Sequence, residues 1–143
     1  MSLSFKSFEI SESGLAAEKM RLNLIAANLA NINTTRTSSG GPYKRKAPVF
    51  EDKLQLERES NQDYKIKDGG VKVSYIWEDQ SPPRLAYEPN NPEADQQGFV
   101  AYPNINVASE MIDLITASRA YEANLMTLEA AKTMAQKALE LSR

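Results

Sequence analysis

Apolar and small residues return at alternating steps of four and three through the C-terminal stretch of the chain: Val107, Met111, Leu114, Ser118, Tyr121, Leu125, Leu128, Lys132, Ala135 and Leu139. A hydrophobic repeat averaging about 3.5 residues predicts a helix that supercoils on a partner. From Val107 to Arg143 there is neither glycine nor proline, so one helix of about 55 Å is expected at about 1.5 Å of rise per residue. A second stripe, Ile112, Ile115, Met126, Ala130 and Met134, lies off that seam and would stay exposed against a single neighbour. Asn106 is the expected N-cap, with Glu110 favourably placed near the positive end of the helix dipole.

A second heptad-like pattern occupies residues 1–33. Phe8, Leu15, Leu22, Ile25, Leu29 and Ile32 share a seam interrupted by Ser11 and Glu18, and Ala17, Met20, Leu24 and Ala27 form another stripe. A helix apolar on two sides is expected to have neighbours on two sides. Gly14 lowers helix propensity by about 1 kcal/mol against alanine, so the helix is more secure from Leu15 onward. Asn28, Asn31 and Asn33 crowd its end. Asparagine side chains compete for local backbone groups, so these residues either fray the helix or present amides to a neighbouring backbone.

Between the helices the period changes. Thr34 to Pro42 is polar and glycine-rich and cannot continue a helix. Tyr43-Lys-Arg-Lys46 is the one basic cluster, expected as a solvated loop or an inter-subunit contact. Val49, Leu54 and Leu56 suggest a short strand or two. Tyr64 and Ile66 alternate on one side of Asp68-Gly69-Gly70, and Val71, Val73, Tyr75 and Trp77 alternate on the other, which predicts a hairpin turning at Asp-Gly. Arg84–Glu88 and Phe99–Tyr102 are further short strands, with Pro89-Asn-Asn-Pro92 a turn between them. The expected fold is therefore mainly α with a small β insert: a coiled-coil hairpin of residues 1–33 and 104–143 around a β-hairpin-containing segment, 34–103. An insert this small would lean on the helices.

Composition narrows the chemistry. The 143 residues carry 17 basic and 19 acidic side chains, a net charge of −2, against the basic excess of a nucleic-acid binder. With no histidine and no cysteine, the commonest transition-metal ligands, the thiolate nucleophile and the imidazole base are absent. Gly40-Gly41 lacks the Lys-Ser/Thr that a phosphate-cradling loop requires. No catalytic, metal or cofactor site is expected, and no small-molecule substrate. The N-terminus lacks the apolar run of a secretory signal, and no stretch suits a membrane span.

Two terminal motifs point to a family. Ala27-Asn-Leu-Ala-Asn-Ile-Asn-Thr34, together with Asn104-Ile-Asn-Val-Ala-Ser-Glu-Met-Ile-Asp-Leu-Ile-Thr-Ala-Ser-Arg-Ala-Tyr-Glu-Ala-Asn124, closely resembles the two ends of bacterial flagellar rod and hook proteins. Gly40-Gly-Pro-Tyr-Lys-Arg-Lys-Ala-Pro-Val-Phe50, Tyr87-Glu-Pro-Asn-Asn-Pro-Glu-Ala-Asp95, Gly98-Phe-Val and Pro103-Asn are similar to the proximal-rod members, and the resemblance covers nearly the whole chain. Asn91 departs from it, since the family commonly has histidine there. The resemblance implies a structural subunit of the basal-body rod that assembles helically with copies of itself and other rod proteins. It implies export by the flagellar type III apparatus without a cleaved signal, placement in the rod spanning the periplasm, contact with the MS-ring or export-gate base, and transmission of torque around an export channel.

Carried onto this sequence, the family's assembly motifs fall on Asn28, Asn31, Asn33, Asn104, Asn106, Glu110, Met111, Arg119, Tyr121, Glu122 and Asn124. The seam residues Leu15, Leu22, Ile25, Leu29, Ile32, Leu114, Leu125 and Leu128 complete the expected interface. Arg119 and Glu122 are spaced to pair at i,i+3, and the termini of a dilute monomer are expected to order on assembly. A soluble coiled-coil adaptor or chaperone-like interaction protein shares the heptads but would form a discrete oligomer. Hook and distal-rod proteins usually carry a larger middle domain.

Overall fold

Ser2–Ala30 forms the first helix, α1, running unbroken through Gly14. It ends where Asn31 turns its side chain back on it: Asn31 Nδ2 donates to the Ala27 carbonyl at 2.9 Å, and Thr34 Oγ1 donates to Asn31 Oδ1 at 3.1 Å. The polar stretch that follows closes on itself, Tyr43 N–H donating to the Thr34 carbonyl at 3.0 Å. Its tip needs two left-handed residues, Gly40 and Gly41, at φ 85° and 73°. This computed structural model describes the backbone at residues 2–58 and 64–141 and the side chains at 7–54 and 69–141.

Strands β1 (Lys46–Arg58) and β2 (Tyr64–Glu78) pair antiparallel over most of their lengths, from Lys46 opposite Glu78 to Arg58 opposite Tyr64. The hairpin is thus longer than the sequence pattern predicts, and its turn is elsewhere. Tyr64–Lys67 and Val71–Trp77 belong to one strand, and residues 59–63 lie outside the described ones. Asp68-Gly69-Gly70 is a bulge. Asp52 pairs with Val71 and Leu54 with Asp68, so Lys53 alone spans Gly69 and Gly70. Turn and bulge both call for a left-handed residue, here Gly70 at φ 94°, which is why the same dipeptide signals either. Likewise Val49, Leu54 and Leu56 belong to one strand of 13 residues.

Strands β3 (Arg84–Tyr87) and β4 (Phe99–Tyr102) form a second antiparallel pair. Tyr87 and Phe99 meet edge-on at 5.3 Å. Helix α2 spans Val107–Leu141, capped by Asn106 Oδ1, which accepts the Ser109 N–H at 3.2 Å.

Helix α1 lies between α2 on one side and the β1–β2 hairpin on the other; among the described residues α2 packs on no strand. The two-sided pattern of residues 1–33 therefore has two neighbours inside one chain. Side-chain hydrogen bonds tie the hairpin to α1 near both ends of their contact, and Lys53 pairs with Glu9 at 3.9 Å beside them. Ser13 Oγ accepts the Val71 N–H at 3.1 Å beside the bulge, and Asn28 grips the start of β1.

The helices run antiparallel, and residues seven apart on α1 each meet α2: Gly14 at Asn124, Arg21 at Asp113, and Asn28 at Glu110. The buried and half-buried positions of α2 are Glu110, Asp113, Leu114, Ala117, Ser118, Ala120, Tyr121, Asn124, Leu128, Ala131 and Ala135. This seam keeps the expected Leu114, Ser118, Tyr121, Leu128 and Ala135. It replaces Met111, Leu125 and Lys132 by the residue one position earlier and adds Ala117 beside Ser118, and Val107, Met111, Leu125 and Leu139 stay exposed. The reason is distance. A Cβ on Gly14 would sit 3.1 Å from Asn124 Nδ2, and Ala117 is fully buried. Backbones this close accept small or polar residues at alternate seam positions, where counting apolar side chains puts large ones.

Candidate assembly interface

A buried polar node forms where the end of α1, the approach to β1 and the start of α2 converge. Asn28 is fully buried and uses all four hydrogen-bonding positions of its amide. Its Oδ1 accepts the Lys46 N–H at 2.9 Å and the Tyr43 hydroxyl at 3.2 Å. Its Nδ2 donates to the Lys46 carbonyl at 2.9 Å and to Glu110 Oε2 at 3.0 Å. Arg45 offers its carbonyl to Asp79 N–H in the strand ladder at 2.8 Å. The N–H and C=O of Lys46 then face the outer edge of β1, and the Asn28 amide pairs with them as a neighbouring peptide would. Edge backbone groups left open cost free energy or recruit a foreign strand, and here one side chain closes them.

Glu110, only 1 % exposed, is held by two elements other than its own. Arg45 Nε reaches Oε1 at 2.5 Å while Asn28 holds Oε2. Arg45 Nη2 reaches Asp113 one turn further along at 3.4 Å, and Arg21 approaches the same carboxylate at 3.6 Å. A buried carboxylate is tolerable only with such partners. Burial also raises the Tyr43 phenol above its ordinary value of 10.0, with Lys46 opposing and Glu78 and Glu110 adding to the rise.

The basic cluster, expected as a solvated loop or inter-subunit contact, also makes ties within its own chain, with Lys44 still exposed. Arg45 pairs with Glu110 and Asp113, Lys44 with the Gln80 amide oxygen, and Lys46 with Glu78. Sequence reasoning did not single out Arg45 or Tyr43. The available signal was an arginine flanked by Pro42 and the first strand, in a chain with an acidic residue just inside the long helix.

Of the residues expected at an interface, Asn28 and Glu110 are consumed in this node, and Asn31 satisfies the end of α1. Leu15, Leu22, Leu29 and Ile32 are half-buried and Ile25 is buried. Leu114, Tyr121, Asn124 and Leu128 lie along the α1–α2 seam, and Asn33, Asn104, Asn106, Met111, Arg119, Glu122 and Leu125 are exposed. Among the described residues no ion pair joins Arg119 to Glu122. Facing away from α1, Ile112, Ile115, Met126 and Met134 are 65 %, 52 %, 64 % and 67 % exposed. These exposed apolar side chains, in two groups with Arg119 and Glu122 between them on the outside of a helix whose inner face is already covered, make a candidate contact surface.

Comparison with known proteins agrees with this architecture at both ends. A family model described as flagella basal body rod protein matches residues 8–36, and one described as flagellar basal body rod FlgEFG protein C-terminal matches residues 96–141. The chain is 42 % identical over 136 residues to the flagellar basal-body rod protein FlgC of Salmonella typhimurium, covering 95 % of this chain and 96 % of that one. It is 37 % identical over 147 residues to FlgC of Borreliella burgdorferi (96 % of each chain). With FlgC of Bacillus subtilis it shares 36 % over 152 residues, 97 % of this chain and 98 % of the other. Two long terminal helices joined by a small β insert, with relatives matched end to end, place it: the chain belongs to the FlgC family of flagellar basal-body rod proteins.

Proposed function

We propose that the chain is a structural subunit of the proximal rod of the flagellar basal body, built helically with copies of itself and other rod proteins into a shaft that carries torque around an export channel. In this reading residues 1–33 and 104–143 form the axial wall and 34–103 an outer insert. The chain performs no catalysis, needs no cofactor or metal, and binds neither nucleic acid nor a small-molecule substrate. It leaves the cytoplasm through the flagellar type III export apparatus without a cleaved signal, and works in the rod across the periplasm, where the MS-ring or export-gate base is a neighbour.

The observation that carries this reading is the exposed outer stripe of α2. Each large apolar side chain removed from water is worth about 1.5–3 kcal/mol, and Ile112, Ile115, Met126 and Met134 keep more than half of that gain in reserve. Of the expected interface residues on α2 that remain outside, Met111 and Leu125 flank these side chains, and Arg119 and Glu122 lie between Ile115 and Met126. Loosely held helix ends in the monomer would order when this face is covered.

A strain lacking the chain tests the function. It should be non-motile, with no rod extending from its basal bodies in electron micrographs, and the gene restored in trans should recover both. Complete basal bodies in its absence would contradict the proposal.

A further inference from the structure

Helix α2 packs on no strand among the described residues, so the node at Asn28 is where the hairpin and α2 are tied together. We infer that Arg45 and its segment form a lock: seating the base of the hairpin and closing the start of α2 onto α1 are one event. The inference concerns the chain by itself and does not depend on its place in a rod.

The contacts of the node are shared between elements. Both oxygens of Glu110 are held from outside α2, one by Arg45 and one by Asn28. The Arg45 fork continues to Asp113, so it spans the first turns of the helix. Asn28 in turn splits its amide between the Lys46 backbone and Glu110. If the segment before β1 lifts away, Glu110 keeps one donor in a site closed to water. An ion left buried after losing its partner is strongly destabilising, so the start of α2 must open to hydrate it. If α2 opens first, the Arg45 guanidinium and one Asn28 donor are stranded, and the hairpin base loosens. The far end lacks this dependence. There α1 meets α2 through Gly14 and Asn124, and meets the hairpin separately through Ser13 and Val71. A displacement of the hairpin therefore reaches α2 at Arg45.

Amide hydrogen exchange on the full-length chain, read by peptide mass, tests the lock. Arg45→Gln should speed exchange about tenfold or more both in residues 107–114 and at the hairpin base, 46–50 and 73–78, with residues 118–128 unchanged. Glu110→Gln should produce the same two-part opening, and the double variant should open no further than either single one. Arg45→Lys, which keeps the charge and loses the fork, should fall between wild type and Arg45→Gln and covers the case in which that variant fails to fold. Opening confined to residues 43–46, opening of α2 with the hairpin base unchanged, or additive effects in the double variant would overturn the inference.

Discussion

The side-chain amide of Asn28 pairs both ways with the backbone of Lys46, at 2.9 Å in each direction. A helix terminus thereby caps the edge of a strand, and the same amide still reaches Tyr43 and Glu110. Asn28→Ala removes four hydrogen bonds and leaves buried groups unpaired. At about 1 kcal/mol net per bond, and more where a buried group is stranded, the loss should be about 3–5 kcal/mol in urea unfolding. Asn28→Asp should cost at least as much, because it deletes two donors and sets a second carboxylate against Glu110. A loss under about 1 kcal/mol would mean that water replaces the node without penalty.

Gly70 separates two reasons for glycine. Gly40, Gly41 and Gly70 all have positive φ, but only at Gly70 would a Cβ collide with a neighbour, the Ser13 hydroxyl. Alanine at Gly40 or Gly41 should cost about 1–2 kcal/mol for the backbone alone. Gly70→Ala should exceed that by about 1–3 kcal/mol, as overpacking does. Equal midpoint shifts for the three variants would show that the hairpin is not pressed on α1 at this point.

Gly14 presents the opposite case, since its φ is helical and only space is at issue. Gly14→Ala gains about 1 kcal/mol in helix propensity but brings a Cβ to 3.1 Å from Asn124 Nδ2. The substitution should be close to neutral in the native chain and stabilising by about 1 kcal/mol in an Asn124→Ala background. Thermal melts of the four combinations measure the coupling.

How much of this was legible in the sequence follows from the range of each signal. Both helices, the Asn106 cap, and strands β3 and β4 were readable because their patterns are local and long enough to average out noise. The α2 seam came out one position off, at Met111 and Leu125 where Glu110 and Asn124 pack. Periodicity measures apolarity, while the real seam is selected by how closely two backbones approach. The hairpin turn was misplaced because a left-handed glycine serves bulge and turn alike. Arg45 was invisible because its partners lie 65 and 68 residues away in sequence, and nothing in the basic cluster says that one of its charges is turned inward.

Alkaline pH should weaken the fold through two phenols. Tyr43 is raised above 10.0 chiefly by burial; Tyr102 is raised by burial and by its hydrogen bond to Glu88. The folded chain holds these protons more tightly than the unfolded one, so their contribution is complete below pH 10 and is lost as pH rises through the folded values. Tyr43→Phe should remove part of that decline, with Tyr102 supplying the rest. Phenolate absorbance against pH should show two tyrosines titrating late. A Tyr43→Phe chain with the full alkaline loss would contradict the assignment.

The central claim is that the outer stripe of α2 joins this subunit to its neighbours, and one paired substitution tests it most directly. Ile112→Asp with Ile115→Asp changes two exposed positions that touch neither α1 nor the polar node, so the isolated chain should melt close to the wild-type midpoint. In cells carrying only this version, the account predicts that the protein is absent from isolated basal bodies and that motility is lost. Wild-type incorporation and motility with both aspartates in place would contradict it.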